Sequence, residues 1–312
     1  MNYIDVCDLP GEPKFEPMRN NPPDKILVVE NSHCSLWWKN TPSTEKPNGL
    51  IGHFHPDSAQ AAATLLKAAE DFLKKQGCLE IIGPMDGNTW KPYRLVSWSD
   101  NSAPFFMEPQ NPTEWPEYWQ DAGFTPYHEY ISSVTEKLQL SDPRLPRTRE
   151  RLKENGISWR CIQRSSFEAD LRQVFKLSLE AFSQNILYTP ISKEAFLQQY
   201  LPYADKVDTD FMLIAEDKTR ECCGFVFAIP DYQQLQRGEQ LSRLIVKTLA
   251  VSAKRRSAGL GSVLVEAVQK KALEKGFTHA IHALMYSQNN SANIGKYSRV
   301  MRRYTLYKKN LL

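Results

Sequence analysis

Residues near the C-terminal end have the types and spacing needed to grip a phosphate. Positions 251–261 read Val-Ser-Ala-Lys-Arg-Arg-Ser-Ala-Gly-Leu-Gly, so Arg256 is followed by Gly259 and Gly261. Glycine lets the main chain turn sharply and approach a ligand closely. An apolar run, 244–251, leads into this loop, and a helical pattern, 262–275, leaves it. A helix starting there offers unpaired N–H groups and a positive dipole end to an anion. The main-chain N–H groups of Arg256, Ser257, Ala258, Gly259 and Gly261 are thus the candidate pyrophosphate ligands. Lys254, Arg255 and Arg256 can add charge, although cations in a loop are as often simply solvated. A lone Gly-x-Gly means no more than a turn; the strand before it and the helix after it favour the phosphate reading.

These elements need a scaffold. At 312 residues the chain is long for one core, and two domains are expected. The formal net charge of +3 argues against a dominant nucleic-acid surface. No run is apolar enough for a membrane span, and the first residues lack the pattern of a signal peptide, so a cytoplasmic protein is expected. None of the six cysteines stands in a C-x-x-C pair, and reduced thiols are the plain reading.

The first half reads as a strand at 25–30, an apolar stretch at 49–55 and a helix at 57–76. A buried-type strand at 78–82, a short helix at 112–121 and an alternating strand at 127–134 follow. Residues 136–157 are charged, carry two prolines and read as a linker with a short solvated helix at 146–155. The second half runs strand 158–162, helices 167–182 and 193–201, strands 211–216, 223–230 and 241–251, and the glycine loop. Then come a helix to Lys275, a strand at 279–285, a helix from Ser291 and a last strand at 304–308. The order is that of a mixed α/β layer structure. Both halves place a helix ending in Gln-Gly or Lys-Gly before an apolar strand, which suggests duplication. The predicted domains are 1–135 and 158–312, joined by 136–157.

Residues 241–307 resemble the GNAT superfamily of acyl-CoA N-acyltransferases. In that family a Val-x4-(Gln/Arg)-x-x-Gly-x-(Gly/Ala) pattern after the fourth strand holds the coenzyme A pyrophosphate, and Val251, Arg256, Gly259 and Gly261 supply it in register. An Asn after the fifth strand with a Tyr seven residues on is the next signature, met by Asn290 and Tyr297. The resemblance covers about half the chain and implies tandem GNAT-like domains on a central mixed sheet flanked by helices, as in two-domain bacterial-type members. The first copy has Pro56-Asp57-Ser58-Ala59-Gln60-Ala61 where the glycines should be, so its phosphate cradle is expected to be absent.

The resemblance implies further roles. Leu249 and Val251 would pair their main chain with the pantetheine arm, and an N–H there would polarise the thioester carbonyl. Asn290 would contact the pantetheine amides, or cap a helix. Tyr297 would protonate the leaving thiolate as general acid, unless it is a packed aromatic. Glu216, Asp231 and Glu239 are the weak candidates for a general base. The acceptor wall is expected from the 185–190 loop with Tyr188, and from Asp231 and Tyr232. Trp90, Tyr93 and Arg94 form a polar-aromatic cluster that fits either a domain interface or an acceptor pocket. His53 and His55 share a strand face without a third ligand, and His279 and His282 do not, so no metal site is expected.

The expected activity is acetyl transfer from acetyl-CoA to an amine of a small molecule or peptide, in a ternary complex. No nucleic acid or membrane partner is expected, and a homodimer is compatible with the sequence. A non-catalytic acyl-CoA sensor, or a tandem-GNAT transferase using aminoacyl-tRNA, are the competing readings.

Overall fold

A computed structural model describes residues 2–9, 11–138, 142–254, 257–288 and 298–311. The first half contains β1 (Asn2–Ile4), α1 (Glu16–Asn20), β2 (Lys25–Val29), β3 (Ser32–Trp37), β4 (Asn48–His55), α2 (Ala59–Lys75), β5 (Glu80–Gly83), β6 (Leu95–Ser99), α3 (Trp115–Asp121) and β7 (Thr125–Thr135). The helix α4 (Leu145–Glu154) leads to β8 (Ser158–Cys161), α5 (Phe167–Phe182), α6 (Lys193–Tyr200), β9 (Met212–Glu216), β10 (Cys222–Pro230), α7 (Gln233–Gln236), β11 (Arg243–Val251), α8 (Leu260–Glu274), β12 (His279–Tyr286) and β13 (Ser298–Asn310). The tandem α/β architecture expected from the sequence is present.

Local chemistry sets the two helices that matter most for the site. In α2, the Ser58 hydroxyl accepts from the Ala61 N–H at 3.1 Å, and Ala62, Leu65, Leu66, Ala69 and Leu73 bury one stripe. In α8, Val263, Leu264, Val268 and Ala272 form the equivalent buried stripe, but the start is different: Gly259 caps it with φ +78° and no side-chain hydrogen bond.

Among the described residues the strands join one mixed sheet in the order β1-β2-β3-β4-β5-β13-β7-β12-β11-β10-β9-β8, with β6 pairing β13 beside β5. β4 and β5 are parallel, as are β11 and β12; each is the fork of one half. The centre is unusual. The last strand of the chain, β13, lies against β5 of the first half, and β7 of the first half lies against β12 of the second. β13 and β7 pair antiparallel from Ser298↔Thr135 to Lys308↔Thr125. The two halves thus exchange their last strands and share one continuous sheet.

Three expectations need correction. β3 has no counterpart among the expected strands, because Ser-His-Cys-Ser-Leu-Trp lacks alternation; all six residues are buried between β2 and β4. The last strand runs over Ser298–Asn310 rather than 304–308. The helix α4 is not merely solvated: Leu145 and Leu152, seven residues apart and so on one face, are buried against α8, and Arg149 pairs with Glu266.

Candidate active site

In the second half, β11 and β12 pair only from Arg243↔His279 to Val246↔His282. Beyond that point β12 kinks at Leu284 (φ +57°), and its Met285 and Tyr286 pair with β7. The Leu284 N–H donates to Ser132 Oγ at 2.9 Å, which holds the kink. β11 continues alone to Val251, still paired with β10 on its other side. Strand alternation then directs every second N–H and C=O of 247–251 into the fork, where β12 does not meet them. At the mouth of the fork β11 carries a bulge: Phe227 faces Thr248 and Ala228 faces Val246, so Lys247 is the extra residue.

Past Val251 the chain reaches the glycine turn. The Ser252 N–H donates to Cys223 O at 2.9 Å, which ties the turn to β10. Ser257 is buried, and its Oγ has no hydrogen-bond partner. Gly259 is required twice over: its φ is left-handed, and a Cβ there would sit 2.8 Å from Thr148 Cγ2 of α4. Arg151 of α4 donates to Ala258 O, so a guanidinium lies beside the turn. Gly261 differs, since a Cβ there would meet Leu249 Cδ2 at an ordinary 3.4 Å. Internal packing therefore does not demand glycine at 261; close approach from outside would. Uncapped N–H groups, an orphan buried hydroxyl and a glycine that the core does not need fit a bound pyrophosphate.

The fork of the first half is closed. After Gly83 the chain stays on the free edge of β4: the Met85 N–H donates to Ile51 O at 2.8 Å, and Asp86 Oδ1 accepts the His53 N–H at 2.7 Å. A Cβ on Gly52 would lie 2.4 Å from Met85 O. The 84–94 segment thus fills the space that the second half keeps between its strands, and α2 begins with a serine cap instead of a glycine turn.

The described residues place Leu249, Val251, Ser257, Ala258, Gly259 and Gly261 together at this fork and turn. Arg256, Asn290 and Tyr297, and the helix expected from Ser291, lie outside the described residues. Asp231 is elsewhere: it is fully buried beyond the start of β11, pairs with Arg243 at 2.7 Å and accepts the Phe106 N–H at 2.8 Å. Tyr232 packs its ring edge-on to Phe106 beside it. Glu216 and Glu239 are also committed, to Arg160 at 2.8 Å and Arg237 at 2.6 Å. Tyr188 sits in a loop that leans on the first half, where Trp90 Nε1 donates to Thr189 O at 2.7 Å; its hydroxyl is buried without a partner.

Sequence reasoning missed Lys247, Tyr130 and Tyr286. The available signal was a lone lysine inside the apolar run Leu-Ile-Val-Lys-Thr-Leu-Ala-Val. Burial, and secondarily the field of Arg94, lower the Lys247 pKa from 10.5 to about 8. Between those values the unfolded chain holds the extra proton, so native stability rises with pH across that window. Below pH 8 the native state carries the full cost of the partly desolvated charge. Lys247→Met is therefore expected to be more stable than the natural protein at pH 7, by on the order of 1–3 kcal/mol, with the advantage fading toward pH 10. Thermal melts at the two pH values check this.

Comparison with known proteins bears on the family and the fold. Residues 171–301 match the acetyltransferase (GNAT) family. Protein YghO of Escherichia coli (strain K12) is 24% identical over 191 residues, covering 59% of this chain and 48% of that protein. The chain thus spans about half the length of this curated relative. Among solved structures, a probable N-acyltransferase from Enterococcus faecalis V583 superposes with a TM-score of 0.53 at 10% identity, covering 96% of this chain and 64% of that one. A GCN5-related N-acetyltransferase from Sphaerobacter thermophilus gives 0.50 at 13% identity, covering 90% and 76%. A tandem GNAT protein from the clavulanic acid biosynthesis pathway gives 0.50 at 12%, covering 96% and 87%. At these identities the structures speak for the fold. Residues 171–301 therefore match the acetyltransferase (GNAT) family, and the mixed sheet has the fold of tandem GNAT proteins.

Proposed function

We propose that the protein transfers an acyl group, acetyl in the simplest case, from coenzyme A to an amine on a small molecule or peptide. The observation that carries this reading is the open fork of the second half, continuous with the uncapped glycine turn, beside a first-half fork that its own chain fills. Acetyl-CoA would supply the activated thioester. The free N–H and C=O groups of 247–251 orient an extended amide-bearing arm as a neighbouring strand would, and a free N–H polarises a carbonyl placed against it. The N–H groups at the start of α8, with Ser257 and Arg256, hold the phosphates. The fork brings the two reactants to one point, and rate follows from that proximity. Tyr297 is assigned as the acid for the departing thiolate. A single coenzyme A site per chain follows from the closed first fork.

Calorimetry with coenzyme A and thiol release from acetyl-CoA on an amine panel test the reading. Micromolar binding of one equivalent, with amine-dependent thiol release, is expected. Binding without turnover on any amine would turn the reading toward an acyl-CoA sensor, and absence of binding would sink the site.

A further inference from the structure

Arg94 lies just before β6 with φ +74°, its main-chain N–H donating to Pro84 O at 2.8 Å. Left-handed backbone at a non-glycine residue is costly and persists only where the surroundings hold it. Its guanidinium carbon stands 4.0 Å from the ring centroids of both Tyr93 and Tyr130. The residue is 9% exposed, and Nε and Nη1 are buried without a hydrogen-bond partner. Arginine is permanently charged, and a buried charge is normally paired. The aromatic contacts answer part of the positive charge but leave the Nε and Nη1 donors without an acceptor.

The acids nearby are engaged elsewhere. Glu108 takes Arg302 Nε at 3.0 Å and the Tyr304 hydroxyl at 2.8 Å. Asp86 is held by His53. A second cation shares the space: Lys247, on the bulge at the mouth of the open fork, reaches the carbonyl of Met107 at 3.4 Å and feels the field of Arg94. The Arg94 cage joins the fork through Tyr130, which pairs with Tyr286 at the end of β12, their rings 5.4 Å apart. The first half therefore places a buried cation beside Tyr130 and within the field of Lys247 on β11.

We propose that Arg94, seconded by Lys247, binds a carboxylate on the acyl acceptor, so that the acceptor is an aminocarboxylate rather than a simple amine; this rests on the acyltransferase reading above. The rings of Tyr93 and Tyr130 stand edge-to-face at 84° and flank the guanidinium on two adjacent sides, and its unpartnered Nε and Nη1, with Lys247 beside them, call for an anionic oxygen acceptor.

The test uses the whole protein without coenzyme A. Dissociation constants are measured by saturation-transfer NMR for the amino acids, β-alanine, 4-aminobutyrate and 4-aminobenzoate, each beside its carboxamide and beside inorganic phosphate. At least one carboxylate is expected to bind roughly tenfold or more tightly than its amide, the worth of one charge-assisted hydrogen bond. Arg94→Gln should erase that preference, and Arg94→Lys should restore part of it, while coenzyme A affinity stays unchanged in both. Thermal melts confirm that the variants fold. No preference for any carboxylate, a preference that survives Arg94→Gln, or tighter binding of phosphate would overturn the proposal. Loss of coenzyme A binding by the natural protein would instead sink the acyltransferase reading, while the carboxylate preference would still be measured.

Discussion

Deleting residues 298–312 is expected to unfold the first half of the chain together with the second. The strand β13 is the junction of the sheet: β7 pairs with one edge, and β5 and β6 with the other. It buries Met301, Tyr304, Leu306 and Tyr307, each worth about 1.5–3 kcal/mol when removed from water. Their sum rivals the whole stability of an ordinary domain, about 5–15 kcal/mol. Arg302 adds a buried pair with Glu108 and reaches Asp100 at 2.9 Å. Without it, Glu108 would be an uncompensated buried charge. Tyr307 stacks on Trp119, which is fully buried among Phe54 and Phe124 in the core under α2. The truncated chain should show no cooperative melt by circular dichroism and rapid proteolysis throughout. A protease-resistant first-half fragment surviving the truncation would refute this.

That dependence was illegible in the sequence, and the reason is physical. Periodicity reports which face of a segment is buried, not which segment covers it. The helix predicted at 57–76 is α2 over Ala59–Lys75, and the strand predicted at 241–251 is β11 over Arg243–Val251, because local patterns and caps fix such elements. The pairing of β13 with β5 joins residues such as Tyr307 and Gly83 that are far apart in the chain, and no local rule points from one to the other. The glycine turn was readable because left-handed backbone demands a particular residue. The arginine partners of Glu216, Asp231 and Glu239 were not readable, because strand-end acids look alike in a sequence. Arg94 and Lys247 come from opposite halves, and only the exchanged sheet brings them to one place.

Gly259→Val is expected to weaken coenzyme A binding by at least about 100-fold, equal to roughly 2.7 kcal/mol, while the protein stays folded. Valine disfavours φ +78° strongly, by about 1–2 kcal/mol or more. Its Cβ would also press on Thr148 of α4. The chain relieves both by rotating out of the left-handed region, which re-aims the N–H groups at the start of α8. Distributed over a protein of this size the stability loss lowers the melting temperature by only a few degrees. Gly259→Ala should fall between the two, and Gly261→Val should impair binding with a smaller stability loss, since the core tolerates a Cβ there. Calorimetric titration checks the series, and unchanged affinity in Gly259→Val would remove the turn from the binding site.

The segment that fills the first fork behaves as a tethered ligand. Main-chain contacts such as Met85 to Ile51 are made by a strand-end continuation only a residue or two long, so its effective concentration at that edge is in the millimolar range or higher. A free metabolite would have to outcompete it at that concentration, and also displace Asp86 from the His53 N–H. A ligand for this fork would therefore bind far more weakly than one for a fork that is already open. The segment that blocks this fork ends at Arg94, whose guanidinium lies against Tyr130 of β7 at the seam between the halves.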